Sequence, residues 1–125
     1  MAAIRTHRDL VAWQKGMALS KTIYVATRRM PQDERFGLTS QMRRAAVSVP
    51  SNIAEGYALE SRKAYLKHLR TSRGSLAELS TQWELTIDLA MLPPNREVVA
   101  LLEETDRVLQ GLIRAVQKSA PRRSR

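Results

Sequence analysis

Three interruptions govern what this chain can fold into: Met30–Asp33 with Gly37, then Gly56–Ser61, then Pro93–Asn95. Between them lie four segments whose apolar residues recur at three- and four-residue spacing, with no alternating strand pattern. Short connections make consecutive helices antiparallel. The expected architecture is therefore all-α, a single-domain, up-down-up-down antiparallel four-helix bundle. At 125 residues there is enough chain for one core and too little for two. The expected layout is an N-terminal arm over 1–8, the bundle over 9–118 and a loose basic tail over 119–125.

The first helix is expected from about Asp9, as its N-cap, to Arg29. Leu10, Trp13, Met17 and Tyr24 form its core stripe, widened by Leu19, Ile23 and Ala26, and a polar side repeats through Arg8, Lys15, Thr22 and Arg29. The second runs from Glu34–Leu38 to Ala58, with Leu38, Met42, Ala45, Val49 and Ile53 facing the core. Ala46, Val47, Ala54 and Ala58 lie off that stripe, so this helix calls for more than one packing partner, either inside the bundle or on a second subunit. The third spans about Ser61, a plausible N-cap, to Ala90, with Leu66, Leu69, Leu76, Leu79, Trp83, Ile87 and Ala90 on its apolar stripe. The fourth spans Pro94, suited to a first helical turn, to Lys118. Its inward residues are Val98, Leu101, Leu102, Val108, Leu109, Leu112, Ile113 and Val116, with Glu103 and Arg107 spaced to pair outside.

No motif for catalysis emerges. A di-iron bundle needs a Glu three residues before a His, but Ile4 and Tyr65 stand there relative to His7 and His68. The zinc-protease, P-loop and dinucleotide patterns are absent, and so is cysteine. Glu84 and Asp88 share a helix face, which reads as a solvated acidic face. Trp13 and Trp83 read as core residues, and His68 as a surface or phosphate-contacting one. The expectation is a protein that is not an enzyme and has no cofactor or metal. The N-terminus lacks the apolar run of a secretory leader and no segment is long enough for a membrane span, so a cytoplasmic location is expected.

Charge is the positive signal. The net charge is +9, and residues 1–75 hold fourteen basic and five acidic side chains, whereas 76–117 hold three basic and seven acidic. Arg43 and Arg44 lie midway along the second helix. Arg62, Lys63, Lys67, Arg70 and Arg73 crowd the start of the third with no acid among them. Like charges at helical spacing repel by a few tenths of a kcal/mol per pair, and phosphates relieve that repulsion. These seven are the candidate nucleic-acid contacts. No base-reading code accompanies them, so any specificity would come from shape.

Pro50 falls inside the second helix, where it removes one amide donor and frees the carbonyl of Ala46. Ser48 and Asn52 are candidates to satisfy freed backbone groups. Ala45, Ala46, Ser48, Ala54 and Gly56 are small enough for close helix approach.

The segment from Pro31 to Gly56, which includes Phe36-Gly37-Leu38, Gln41, Arg43-Arg44-Ala45-Ala46 and Ser48-Val49-Pro50-Ser51-Asn52-Ile53-Ala54-Glu55-Gly56, strongly resembles the signature of the four-helix bundle, or ribosomal RNA intervening-sequence, protein family. Leu10–Lys15 and Gly74–Leu79 resemble it further, so the likeness extends over nearly the whole chain. The resemblance implies a small bacterial cytosolic bundle that assembles as a ring-like homopentamer. A related branch is similar to the accessory protein of diversity-generating retroelements, which binds nucleic acid and partners a reverse transcriptase. On this reading Pro50, Asn52, Ile53, Glu55 and Gly56 are a structural and subunit-contact signature, with a ligand site around Asn52 and Glu55 as the lesser alternative.

The functional expectation is a homo-oligomer that binds nucleic acid, RNA above all. The alternative is a protein-interaction scaffold whose basic face docks an acidic partner such as a polymerase.

Overall fold

The chain enters the bundle through a capped turn. Thr6 accepts a hydrogen bond from the Arg8 amide, and Asp9 accepts from the amides of Arg5 (2.8 Å) and Thr6 (3.1 Å), closing a reciprocal capping box around a single 3-10 turn, His7–Asp9. Those amides, Arg5 first, hold the Asp9 carboxyl below the usual carboxylate range. Asp9 therefore caps this turn and not the first long helix, which begins two residues later. In the computed structural model, which describes residues 3–119, the long helices are α1 (Val11–Ala26), α2 (Leu38–Ala58), α3 (Arg62–Asp88) and α4 (Arg96–Lys118). The expected frayed tail lies outside the described residues beyond Ser119.

Cross-helix pairs show the direction of each neighbour. Ser20 meets Ala46 and Arg43 meets Thr27 between α1 and α2, and Val49 meets Ser72 while Asn52 meets His68 between α2 and α3. Arg62 meets Val116 and Arg73 meets Asp106 between α3 and α4. Lys15 meets Glu104 and Thr22 meets Glu97 between α4 and α1. In every pair of helices one number rises as the other falls, so each helix runs antiparallel to both neighbours and the order around the bundle is sequential. The seven-residue polar repeat on α1 thus supplies, through Lys15 and Thr22, the seam with α4.

Leu19, Ile23, Met42, Val49, Ile53, Leu69, Leu79, Val98 and Leu109 are fully buried and fill the centre. Two core assignments change. Tyr24 stands outside, 42% exposed, because α1 turns Ala12, Gly16, Leu19, Ser20 and Ile23 inward instead. Small residues win there because α2 brings Pro50 against α1: a Cβ on Gly16 would stand 3.3 Å from the Pro50 ring. Ala90 lies past the end of α3. It takes a left-handed backbone (φ 57°), and the bonds from Ala90 N to Ile87 O (2.9 Å) and from Met91 N to Thr86 O (3.0 Å) close the helix as a Schellman pair.

Ser61 caps α3 through Ala64 N. Asn95, and not Pro94, opens α4, its side-chain oxygen accepting from the amides of Glu97 and Val98. Glu103 and Arg107 do not form the expected pair among the described residues. The acids of this helix that do pair are Glu104, with Lys15, and Asp106, with Arg73.

Gly56 marks no turn. It lies inside α2, buried, where a Cβ would come 2.7 Å from the Cβ of His68. The wide apolar surface of α2 is met within the chain, by α1 on one side and α3 on the other. Val47 remains outside.

Candidate nucleic-acid interface

The seven basic residues separate into three kinds of environment. Arg43 lies over the C-terminal end of α1. Its Nε donates to the Thr27 hydroxyl (2.9 Å), one terminal nitrogen donates to the Tyr24 carbonyl (3.3 Å), and its guanidinium stands 4.6 Å from the Tyr24 ring centroid. Arg62 plays the same part at the end of α4, donating from Nε to the Val116 carbonyl (3.0 Å) and from a terminal nitrogen to the Gln117 carbonyl. A helix C-terminus has unpaired carbonyls and the negative end of the dipole, so each guanidinium serves as a cap. These two arginines are part of the fold. Arg73 is paired with Asp106 at 3.2 Å on the exposed α3–α4 seam.

The remaining four, Arg44, Lys63, Lys67 and Arg70, are exposed and make no ion pair or side-chain hydrogen bond among the described residues. Lys63, Lys67 and Arg70 share one face of α3. Arg70 and Arg73 also line a groove of about 720 Å³ between α3 and α4, whose floor includes Leu76, Leu102 and Ile113. Arg44 stands apart from this run. It lies eight residues up α2 from the Asn52–His68 contact, about 12 Å along the axis.

Two adjoining hollows surround Arg44 and Arg43 on the outer side of α1 and α2. They include Arg28, Arg35, Tyr24 and Phe36, none of which the sequence reading had placed in the site. The available signal was that Arg28, Arg35 and Arg43-Arg44 recur within sixteen residues of one another around the first interruption. Along the chain they are separated by turns that hide it.

The signature residues are used inside the chain. Pro50, Ile53 and Gly56 are buried within the chain, against its own helices. Asn52 donates to the Ser48 carbonyl and hydroxyl (both 2.9 Å), and its oxygen lies 3.1 Å from His68 Nδ1. The Ser48 hydroxyl is 2.8 Å from that of Ser75, and Glu55 lies 3.7 Å from His68 Nε2. A polar chain thus crosses the α2–α3 seam and accounts for Asn52 and His68 without a ligand. His68 is a seam residue, not the surface contact its neighbours suggested. Below it Tyr65 is packed against Tyr57, and burial, with Tyr57 adding to it, pushes its hydroxyl up to about 12.

Among the described residues no cluster of three His, Asp or Glu side chains could hold a metal, and no helix is long and apolar enough to cross a membrane. A protein of unknown function from the S23 ribosomal protein family of Bacteroides thetaiotaomicron has the same fold. Its structure superposes with a TM-score of 0.72 at 18% identity, over 83% of this chain and 96% of its own. No curated protein matches the sequence. The family model that does match is that of the 23S rRNA-intervening sequence protein, over residues 8–114. That span begins within the capped turn and takes in the first three long helices and most of α4, and the chain belongs to the 23S rRNA-intervening sequence protein family.

Proposed function

We propose that this protein is a non-enzymatic, self-associating bundle whose basic outer surface binds nucleic acid, RNA in particular. The observation that carries the reading is the uncompensated run Lys63, Lys67 and Arg70. All three are exposed on one face of α3 and none has an acidic partner among the described residues. Lys63 stands in the first turn of α3, where the helix dipole disfavours a cation. A bound phosphate backbone offsets both the mutual repulsion and the dipole. The ribosomal RNA in the family's name favours RNA among the polyanions.

Self-association is supported by apolar side chains left in water. Leu85 and Leu89, four residues apart at the end of α3, are 46% and 55% exposed, and a second copy would cover them. The family resemblance implies five copies. A ring of such copies would raise the avidity of a weak basic patch several-fold or more.

Fluorescence anisotropy with structured RNA, single-stranded DNA and duplex DNA across a salt series tests the binding, with sedimentation velocity for the assembly. The expected result is a steep linear fall of log K with log salt and tightest binding to RNA. Binding that is absent or flat with salt would overturn the reading and leave the basic face to an acidic protein partner.

A further inference from the structure

The two hollows on the outer side of α1 and α2 are about 570 and 450 Å³ and share Arg35, Thr39 and Arg43. Arg28, Arg35, Arg43 and Arg44 line them together, and no carboxylate does. At their edge stands Phe36, 87% exposed, the barest of the large apolar side chains in the described residues. The Arg35 guanidinium lies 5.3 Å from its ring centroid. Tyr24 has one ring face occupied by Arg43, so its part is to hold that arginine.

A large aromatic ring standing in water among guanidinium groups calls for a partner with a flat apolar face and an anionic edge. A nucleobase on its phosphate backbone has both. In a duplex the base faces are already stacked on each other, so only an unpaired base can offer one. We infer that Phe36 is the stacking platform for an unpaired base of a single-stranded nucleic acid, with Arg35 and Arg44 holding the flanking phosphates. The inference rests on the nucleic-acid reading above and adds to it a second contact zone, distinct from the α3 run, that selects single strands. Phe36 sits in the turn leading into α2 and supports no core contact, so its removal leaves the bundle intact.

The test is anisotropy of fluorescein-labelled single-stranded oligoadenylate and of a blunt RNA duplex with the full chain and its Phe36→Ala and Phe36→Trp variants, with sedimentation velocity on each. Phe36→Ala is expected to weaken single-strand binding about tenfold, to leave duplex binding and the sedimentation coefficient unchanged, and Phe36→Trp to restore the single-strand affinity. Unchanged single-strand affinity in Phe36→Ala, with salt-dependent binding intact, overturns the platform while the nucleic-acid reading stands. A fall in sedimentation coefficient also overturns it and makes Phe36 a contact between copies. Failure of the unaltered protein to bind either RNA overturns the underlying reading and this inference with it.

Discussion

The hydroxyl of Ser20 on α1 lies 2.9 Å from the carbonyl oxygen of Ala46 on α2 and 3.0 Å from that of Gly16 on its own helix, so its one proton is shared between them, and the Ala46 carbonyl is the one that Pro50 leaves without its amide partner. The helix runs unbroken through the proline because its missing hydrogen bond is replaced from a neighbouring helix. Neither Ser48 nor Asn52, the local candidates, does this. Gly16, one turn before Ser20, gives the Pro50 ring room to seat against α1. The proline thus fixes the register of α1 on α2.

Ser20→Ala should therefore destabilise the protein by about 1–2 kcal/mol, since a buried carbonyl loses the side-chain donor that stands in for the missing amide. In a Pro50→Ala background the restored amide can serve Ala46, and the same change should cost much less. A double-mutant cycle by urea unfolding measures the coupling. Equal costs in the two backgrounds would show that the Ser20 bond does not answer the proline.

Two helical glycines, Gly56 near the end of α2 and Gly74 midway along α3, should respond oppositely to alanine. At Gly56 the new methyl would meet His68 at 2.7 Å, forcing α2 and α3 apart, so Gly56→Ala should cost about 1–3 kcal/mol. At Gly74 nothing lies within 4 Å, so Gly74→Ala should stabilise by about 0.5–1 kcal/mol through helix propensity alone. Thermal and urea unfolding of the two variants give the signs directly.

The basic residues should divide into fold and interface. Arg62→Ala removes the cap on the last carbonyls of α4 and should lower stability by about 1 kcal/mol, with little effect on the salt slope of RNA binding. Lys63→Gln, Lys67→Gln and Arg70→Gln combined should do the reverse, leaving stability near its original value and reducing the slope of log K against log salt by about 2–3. Anisotropy and urea unfolding on the same preparations separate the two. A triple variant with an unaltered slope would move the RNA site elsewhere.

Acid should loosen the α1–α4 seam. The hydrogen bond from Lys15, at 2.8 Å, is the main reason the Glu104 carboxyl is held below its ordinary value of 4.5. A lowered folded-state pKa means that the folded protein binds the proton less readily than the unfolded chain. The stabilisation is then complete above about pH 4.5 and disappears as pH falls through the lower, folded-state value. In melting curves from pH 6 down to pH 3, Glu104→Gln should lose less stability than the unaltered protein. Parallel losses would mean the pair contributes nothing.

Much of the fold was legible because a bundle's rules are local. Leu19, Ile23, Met42, Val49, Ile53, Leu69, Leu79, Val98 and Leu109 announce their faces by spacing alone, and Ser61 announces a helix start by being a hydroxyl before a periodic run. Differences fall where a distant element decides the outcome. Tyr24 has the spacing of a core residue, but α1 turns so that Gly16 meets Pro50 and Ser20 meets Ala46. Gly56 opens an interruption by composition and yet lies inside α2, where its reading as a small residue for close helix approach holds against His68 of another helix.

The candidate site shows the same division. By itself the sequence determined that four amphipathic helices would form, that they would alternate in direction, and that positive charge would gather in the first three, since composition, periodicity and loop length act within a few residues of the chain. Only the tertiary structure decided which cations remain available. Arg43 and Arg62 are taken up by the carbonyl ends of α1 and α4, Arg73 by Asp106, while Arg44, Lys63, Lys67 and Arg70 face water. A charge finds its partner through space, and those partners are 16 to 55 residues away along the chain.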